Sequence, residues 1–332
     1  MKKTCLIFCL VLLLVAGLYL MPHEKEHCKQ TELVLHTVVT LQAEGPEAKA
    51  AVREGMERLR ALESMIDEES EDSDTAKLRA AAGKEYVSLR PEVYHMLELS
   101  QQYSEKTNGA WDITLSPLLA LWEFDTDHAH IPSNEAMIAA RQKTGWQHLK
   151  LRVEDQSALL DEAGMSIHLG GIAKGYAADE VRRIFRRHGV ENGLINIGAS
   201  SICAMGKNTQ GSAWKIGLRH PRQDEGYCTT VELSNASLST SGDYERFFLQ
   251  DGKRYHHILD SRTGMPADSD LASVTIVIDG NCEDAGMLSD LLSTTIFILG
   301  KEKGRELISS LPEPVSIILV HQDLSMETIS NK

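Results

Sequence analysis

Apolar and polar positions along this chain recur with two periods, and the switches between them mark its elements. Residues 33–42 (LVLHTVVTLQ) are rich in branched side chains and predict a β-strand. After Pro46, the residues Val52, Met56, Leu59 and Ile66 recur at helical spacing and predict an amphipathic helix. A second helix is predicted from Pro91 through Val93, Met96, Leu97 and Tyr103, stopped by Asn108-Gly109. Residues 166–169 lead into Gly170-Gly171 and then a helix with Tyr176, Ala177, Val181, Ile184 and Phe185 on one face. Arg186, Arg187 and His188 suit the negative end of that helix, and Gly189 terminates it. Short strands are predicted at 193–197, 214–219, 228–233, 254–259, 273–278 and 315–320, with a helix at about 287–299 before the last. Helices and strands mix without a regular βαβ repeat, so the pattern predicts an α+β fold.

One apolar segment has no period. Lys2 and Lys3 precede the unbroken run 5–21, and Pro22, His23, Glu24 and Lys25 follow it. That is the build of a signal peptide or N-terminal anchor helix. Large residues at Leu18, Tyr19, Leu20 and Met21 leave no small-residue cleavage site, so an uncleaved anchor is preferred, with the body on the extracytoplasmic face of the cell membrane. The expected organisation is 1–21 anchor or signal, 22–32 linker, 33–320 a single functional domain and 321–332 a tail. Of the six cysteines, Cys5 and Cys9 lie in the apolar run, and an exported protein permits a disulfide among Cys28, Cys203, Cys228 and Cys282. No CxxC pair argues for structural zinc. The 332 residues carry 34 basic and 48 acidic side chains, a formal charge of −14, which excludes non-specific nucleic-acid binding. A phosphate-bearing small molecule remains compatible, given a metal or a local patch. Residues 67–74 alone hold six acids and read as a solvated loop, since the glycine and spacing of a calcium loop are absent.

Three segments carry candidate chemistry. In Leu169-Gly170-Gly171-Ile172-Ala173-Lys174, adjacent glycines and a helix start offer backbone N–H groups and positive potential to an anion, with Lys174 adding a full charge. The spacing is not that of a Walker loop, and a structural turn fits it too. Asp290, Ser293 and Thr294 stand at i, i+3 and i+4, sharing one helix face. A carboxylate beside hydroxyl oxygens suits Mg²⁺, while an ordinary polar face opposite Leu288, Leu291 and Leu292 fits the same spacing. The third runs from Thr240-Ser241-Gly242-Asp243 to Pro266, with a hairpin around Asp251-Gly252. There His257 is a candidate base and Asp260 a candidate orienting group, or both serve turn chemistry.

Taken together and in this order, these segments resemble the ApbE-type flavin transferases over about residues 33–300. The likeness rests on Ala110-Trp111-Asp112-Ile113-Thr114 with Ser116-Pro117-Leu118 and Leu121-Trp122, and on LGGIAKGYAAD from Leu169. It continues through Asn196-Ile197-Gly198, Trp214-Lys215-Ile216-Gly217, TSGDYERFF from Thr240, HHILDSRTGMP from His256 and SDLLSTTIFILG from Ser289. The resemblance implies an ApbE-like fold of two interleaved α/β subdomains with mixed or antiparallel sheets. It implies a transferase that uses FAD as substrate and Mg²⁺ as cofactor. FMN would pass to a threonine hydroxyl of an acceptor flavoprotein in an exported or membrane electron-transfer system, and AMP would leave. FAD hydrolysis to FMN and AMP, and non-catalytic flavin binding, are the alternatives. Residue by residue, the resemblance implies that Asp290, Thr294, Ser293 and the backbone at Gly171 hold the metal, with Lys174 beside the phosphates. His257 becomes the base, and Leu35, Ala110, Trp111, Asp112, His168 and Leu259 fall at nucleotide-contacting positions. Departures lie at Leu35-His36, where the family has a flexible glycine, and at Arg79 and Ala199. At His168 a nucleotide-binding carboxylate is replaced, which predicts weaker or pH-dependent FAD binding.

Overall fold

The computed structural model describes residues 26–331, so the expected anchor or signal at 1–21 lies outside the described residues. Its frame is an eight-stranded sheet in which strands neighbour one another in chain order. These are β1 (His27–Val34), β2 (Thr37–Glu44), β3 (Asn192–Ile197), β4 (Ser201–Met205), β5 (Ala236–Gly242), β6 (Leu271–Asp279), β7 (Val315–His321) and β8 (Met326–Ser330). Every neighbouring pair is antiparallel. Antiparallel pairing lets the two faces serve different partners. Along β3, Ile195 and Ile197 enter the main core while Leu194 meets a second cluster; along β4, Cys203 and Met205 face the first, and Ile202 and Ala204 the second. Helices that contribute to the main core include α1 (Ala48–Ile66), α2 (Ala173–Arg187) and α3 (Ala285–Leu299). The antiparallel hairpin Trp214–Arg219 with Tyr227–Leu233 supplies the second cluster. A third gathers Leu118, Trp122 and Leu259 with the stacked rings of Phe248 and Tyr255, 5.2 Å apart, below the hairpin that turns at Asp251-Gly252. The α+β expectation holds. Among the described residues no helix is long and apolar enough to cross a membrane, and the four cysteines are free.

Four sequence expectations change. The single strand at 33–42 is a hairpin, because Leu35 and His36 both adopt left-handed φ (+57° and +53°) and Val34 pairs with Thr37. That two-residue turn matches strand twist but usually carries Asn-Gly, so its sequence gave no signal. The Glu63 carboxylate, accepting from the His36 N–H at 3.3 Å, helps hold it. The expected linker and tail supply the edge strands β1 and β8. β5, of sequence ASLSTSG, was not anticipated at all, since serine and glycine disfavour strands. It lies in the middle of the sheet, where two of its hydroxyls meet α3: Ser239 Oγ lies 2.9 Å from Ser289 Oγ and Ser241 Oγ 2.8 Å from Ser293 Oγ. The acidic segment 67–74 is built in rather than merely solvated. Ser73 caps the helix Asp74–Ala80, and buried Asp74 accepts from the Arg90 N–H at 2.7 Å.

The tightest contact in the frame is between α2 and α3. A Cβ on Gly175 would overlap the Gly286 carbonyl oxygen and stand 2.7 Å from Asp290 Cβ; one on Gly286 would overlap the Gly175 carbonyl oxygen. Neither helix has a side-chain cap at its own start. Instead Asp179 of α2 accepts from the N–H groups of Gly286 (3.0 Å) and Met287 (2.8 Å) at the start of α3. Asp179 is fully buried and ion-paired with Arg182 at 2.9 Å, which in turn donates to the carbonyl of Gly280 at 2.7 Å. Burial pushes the Asp179 acid up to about 7, with Arg182 and the two N–H groups opposing it.

Because the Gly175 contact is backbone to backbone, Gly175→Ala should destabilise the chain by about 3 kcal/mol, read as a lowered urea midpoint. An unchanged midpoint would mean that the helices part without cost. A second expectation concerns His256, buried edge-on against Phe297 with Nδ1 lacking a hydrogen bond. Burial pulls its pKa from 6.5 to about 4. Between those values the unfolded chain binds a proton that the folded chain refuses, so stability rises with pH and is lost as pH falls through the window. Denaturation midpoints should therefore drop from about pH 7 to about pH 4, less steeply in His256→Phe; equal slopes would count against it.

Candidate active site

The α2–α3 crossing brings Asp290 to the first turn of α2. Its Oδ2 accepts from the Gly175 N–H at 3.0 Å, in a side chain 3% exposed. A helix start carries unpaired N–H groups and partial positive charge, so a carboxylate is stabilised there. Asp290 Oδ1 makes no hydrogen bond among the described residues and remains available. The turn before α2 is closed by the N–H groups of Ile172 and Ala173, both donating to the Leu169 carbonyl at 3.0 and 2.9 Å. Lys174 folds back over this turn, with Nζ donating to the Gly170 carbonyl at 2.7 Å.

Trp111 and Thr294 converge on Gly171. A Cβ there would stand 3.0 Å from the Trp111 ring and 3.3 Å from Thr294 Oγ1, so only glycine keeps this corner open. The indole N–H of Trp111 is buried and has no hydrogen-bond partner among the described residues. Thr294 Oγ1 lies 2.9 Å from Ser241 Oγ, and Ser241 Oγ lies 2.8 Å from Ser293 Oγ. Ser293, expected as a metal ligand, is fully buried and donates to the Asp290 carbonyl at 2.8 Å. Its hydroxyl is engaged inside the helix rather than presented.

Asp112 is committed to its own loop. One oxygen accepts from the Thr114 N–H (2.8 Å) and hydroxyl (2.7 Å), the other from the Trp146 N–H at 3.0 Å. Burial raises its pKa against those three bonds. Asp112 thus shapes the segment that carries Ala110 and Trp111, both buried. His168 sits across the same segment, its N–H donating to the Ile113 carbonyl at 2.7 Å. Its Nδ1 lies 3.0 Å from Glu68 Oε1, and the Ser116 hydroxyl donates to Glu68 Oε2 at 3.1 Å. A carboxylate of the acidic loop thus lies beside position 168. Burial alone would raise the Glu68 pKa, but its bond and charge contact with His168 leave it below the ordinary value.

His257 follows the Phe247–Gln250 and Lys253–His256 hairpin, and its N–H donates to the Arg246 carbonyl at 3.0 Å. Its ring is half-buried, with an enclosed Nδ1 that has no hydrogen-bond partner among the described residues. Burial first, then the charges of Arg246, His256 and Lys174, hold its pKa well below 6.5. His257 is therefore neutral at neutral pH and able to take a proton. Leu259 and Leu35 are placed differently. Leu259 belongs to the Leu118–Trp122 cluster and Leu35 packs on the main core from the β1–β2 turn. Neither has a polar link to the Asp290 group. Asp260 pairs with Arg262 at 2.7 Å within its own turn.

The oxygen-only set of Asp290, Thr294 and the carbonyls of the Gly170-Gly171 turn has the hard-donor chemistry that Mg²⁺ requires. A separate trio, His148, Asp161 and Glu162, has ligand atoms within 4.8 Å of one another. Asp161 is already matched there by His148 Nδ1 at 2.7 Å and Lys150 Nζ at 3.5 Å. Sequence reasoning missed Glu68, Ser241 and Gly175 as site residues. Gly175, a glycine in the first turn of a helix, and Ser241, inside the Thr240–Asp243 segment, each carried a local signal, whereas Glu68 was one acid among six.

Comparison with known proteins bears on the family and the fold. The ApbE family model matches residues 35–319. The FAD:protein FMN transferase of Treponema pallidum is 32% identical over 301 residues, spanning 85% of this chain and 82% of that protein. The protein of the same name from Vibrio cholerae is 30% identical over 319 residues, 94% of this chain and 92% of the relative. Among solved structures, the flavin transferase ApbE from Vibrio cholerae superposes with a TM-score of 0.80 at 25% identity, covering 93% of this chain and 98% of that one. The ApbE protein of Thermotoga maritima gives 0.79 at 28% identity, over 91% and 96%. With sequence and fold in agreement over nearly all of its described length, this chain belongs to the ApbE family.

Proposed function

We propose that the protein transfers FMN from FAD to a threonine hydroxyl of an acceptor protein and releases AMP, with Mg²⁺ held by Asp290 and Thr294. The observation that carries this reading is the Asp290 carboxylate at the α2 start, beside Thr294, Gly171 and an unpartnered Trp111 N–H. Bound there, Mg²⁺ would neutralise pyrophosphate charge and polarise the phosphorus. The α2 N-terminus and Lys174 favour the same oxygens electrostatically, once the ammonium turns from the Gly170 carbonyl. The threonine oxygen forms a bond to the FMN phosphorus, the P–O bond to AMP breaks, and the threonine proton passes to the neutral His257 ring. The Trp111 N–H offers a neutral donor to the nucleotide, while Asp112 holds that loop in place. Glu68 with His168 supplies the acid at the nucleotide-binding position. The apolar run 5–21 behind Lys2 and Lys3 supports placing the body on the extracytoplasmic face, where the acceptor would be an exported or membrane electron-transfer flavoprotein.

The direct assay is AMP release from FAD and Mg²⁺ with and without a threonine-bearing acceptor. AMP only with acceptor supports transfer, AMP in both conditions identifies a pyrophosphatase, and AMP in neither ends the enzymatic reading. Asp290→Asn keeps an acceptor for the Gly175 N–H but removes the charge. It should lower AMP release at least about 100-fold with an unchanged melting temperature. Full turnover in that variant would remove Asp290 from the metal site. Because His257 is held neutral, its protonation should cause no loss of transfer between about pH 8 and about pH 6, unlike an ordinary histidine base. His257→Gln should cut the rate by about 100-fold or more at every pH in that range; a rate matching wild type would exclude it as the base.

A further inference from the structure

Four residues of α3 carry hydroxyls, and three of them bond to the helix's own backbone. Ser289 donates to the Gly286 carbonyl, Ser293 to the Asp290 carbonyl and Thr295 to the Leu291 carbonyl, each at 2.8 Å. Thr294 alone turns its hydroxyl off the helix, to Ser241 of β5 at 2.9 Å. The direction of that bond follows from proton count. A hydroxyl has one proton, and a carbonyl can only accept. Ser293 has committed its proton to the Asp290 carbonyl, so its 2.8 Å contact with Ser241 must be donated by Ser241. Ser241 then has no proton left, and the contact with Thr294 must be donated by Thr294. The relay runs Thr294 to Ser241 to Ser293 to the Asp290 carbonyl, and only one proton arrangement satisfies all three distances.

We infer that Ser241 is a positioning residue: by drawing the Thr294 proton toward β5, it leaves Thr294 Oγ1 purely an acceptor on the side that faces Gly171. An oxygen whose proton is already directed elsewhere can give its lone pairs to a hard cation without reorienting. This rests on the reading that Thr294 helps hold a divalent cation. β5 is built for the delivery. Strand alternation turns Ser239 and Ser241 toward α3, where they meet Ser289 and Ser293 in turn. The β5–β6 register, with Ser241 opposite Val274, fixes the height of Ser241 against Thr294. The relay ends on the carbonyl of Asp290 itself, so the same residue anchors both the carboxylate and the hydroxyl ligand.

The test uses the full chain and Mn²⁺ as probe, followed by electron paramagnetic resonance with FAD present and acceptor absent. Ser241→Ala should weaken Mn²⁺ binding about 10-fold or more, with FAD affinity little changed, and raise by the same factor the Mg²⁺ needed for half-maximal transfer. Ser241→Thr, which keeps the hydroxyl, should restore both. If Ser241→Ala does not fold, Ser241→Cys carries the same expectation, since a thiol is a poor acceptor. Mn²⁺ binding in Ser241→Ala equal to wild type, where Asp290→Asn has lost it, overturns the Ser241 inference alone. Mn²⁺ binding that survives Asp290→Asn unchanged overturns the metal assignment beneath it.

Discussion

The site depends on one contact, the crossing of α2 and α3 at Gly175 and Gly286. With no Cβ between them the two backbones touch, and each helix supplies the carboxylate that caps the other. Asp290 of α3 reaches the Gly175 N–H, and Asp179 of α2 reaches those of Gly286 and Met287. The exchange looks symmetrical, but the environments are not. Asp179 is fully buried and matched by Arg182, whereas among the described residues Asp290 has no cationic partner and keeps one oxygen unbonded. One acid of the pair is structural, and the other is left with charge to offer. A larger residue at either glycine would separate the helices and undo both caps at once.

The electrostatics follow from that frame. A chain of net charge −14 that handles a pyrophosphate needs local positive potential, and it is concentrated in a small region. The α2 start and Lys174 provide it, with Arg246 close enough to depress His257. Burial first, and then that potential, keep His257 unprotonated. The acidic segment 67–74, the largest concentration of negative charge in the sequence, is partly turned to structural use, while Glu69, Glu71 and Asp72 stay exposed. Ser73 and Asp74 cap and tie their helix, and Glu68 reaches His168, a hundred residues away in sequence.

Much of the local framework around the candidate site was legible in the chain. The Gly170-Gly171 turn, Lys174, the Asp290–Thr294 face and the hairpin leading into His257 all lie close to where periodicity and turn residues placed them. The misses have identifiable physical causes. β5 reads as a loop because Ser and Gly have low strand preference, yet it pairs on both sides in the sheet and turns Ser239 and Ser241 onto hydroxyls of α3. The Leu35-His36 turn was invisible because neither residue usually adopts positive φ; the strand register and Glu63 impose it. Ser293 shares a face with Asp290 as its spacing requires, yet bonds back to its own helix, a choice that spacing alone cannot make.

What the sequence by itself determined is local: helix and strand periods, their stops, the class of fold, and the residue types able to bind phosphate, metal and proton. Those properties depend on neighbours within a turn or two, and neighbours are written in order along the chain. Tertiary structure alone decided which of these groups meet. Asp290 with Gly175, Glu68 with His168 and Ser241 with Thr294 join residues 53 to 115 positions apart. Each pairing depends on a helix crossing or a strand register, set by how whole faces pack rather than by any residue in the pair. The residue types make the chemistry available, and the touching backbones of Gly175 and Gly286 bring it to one place.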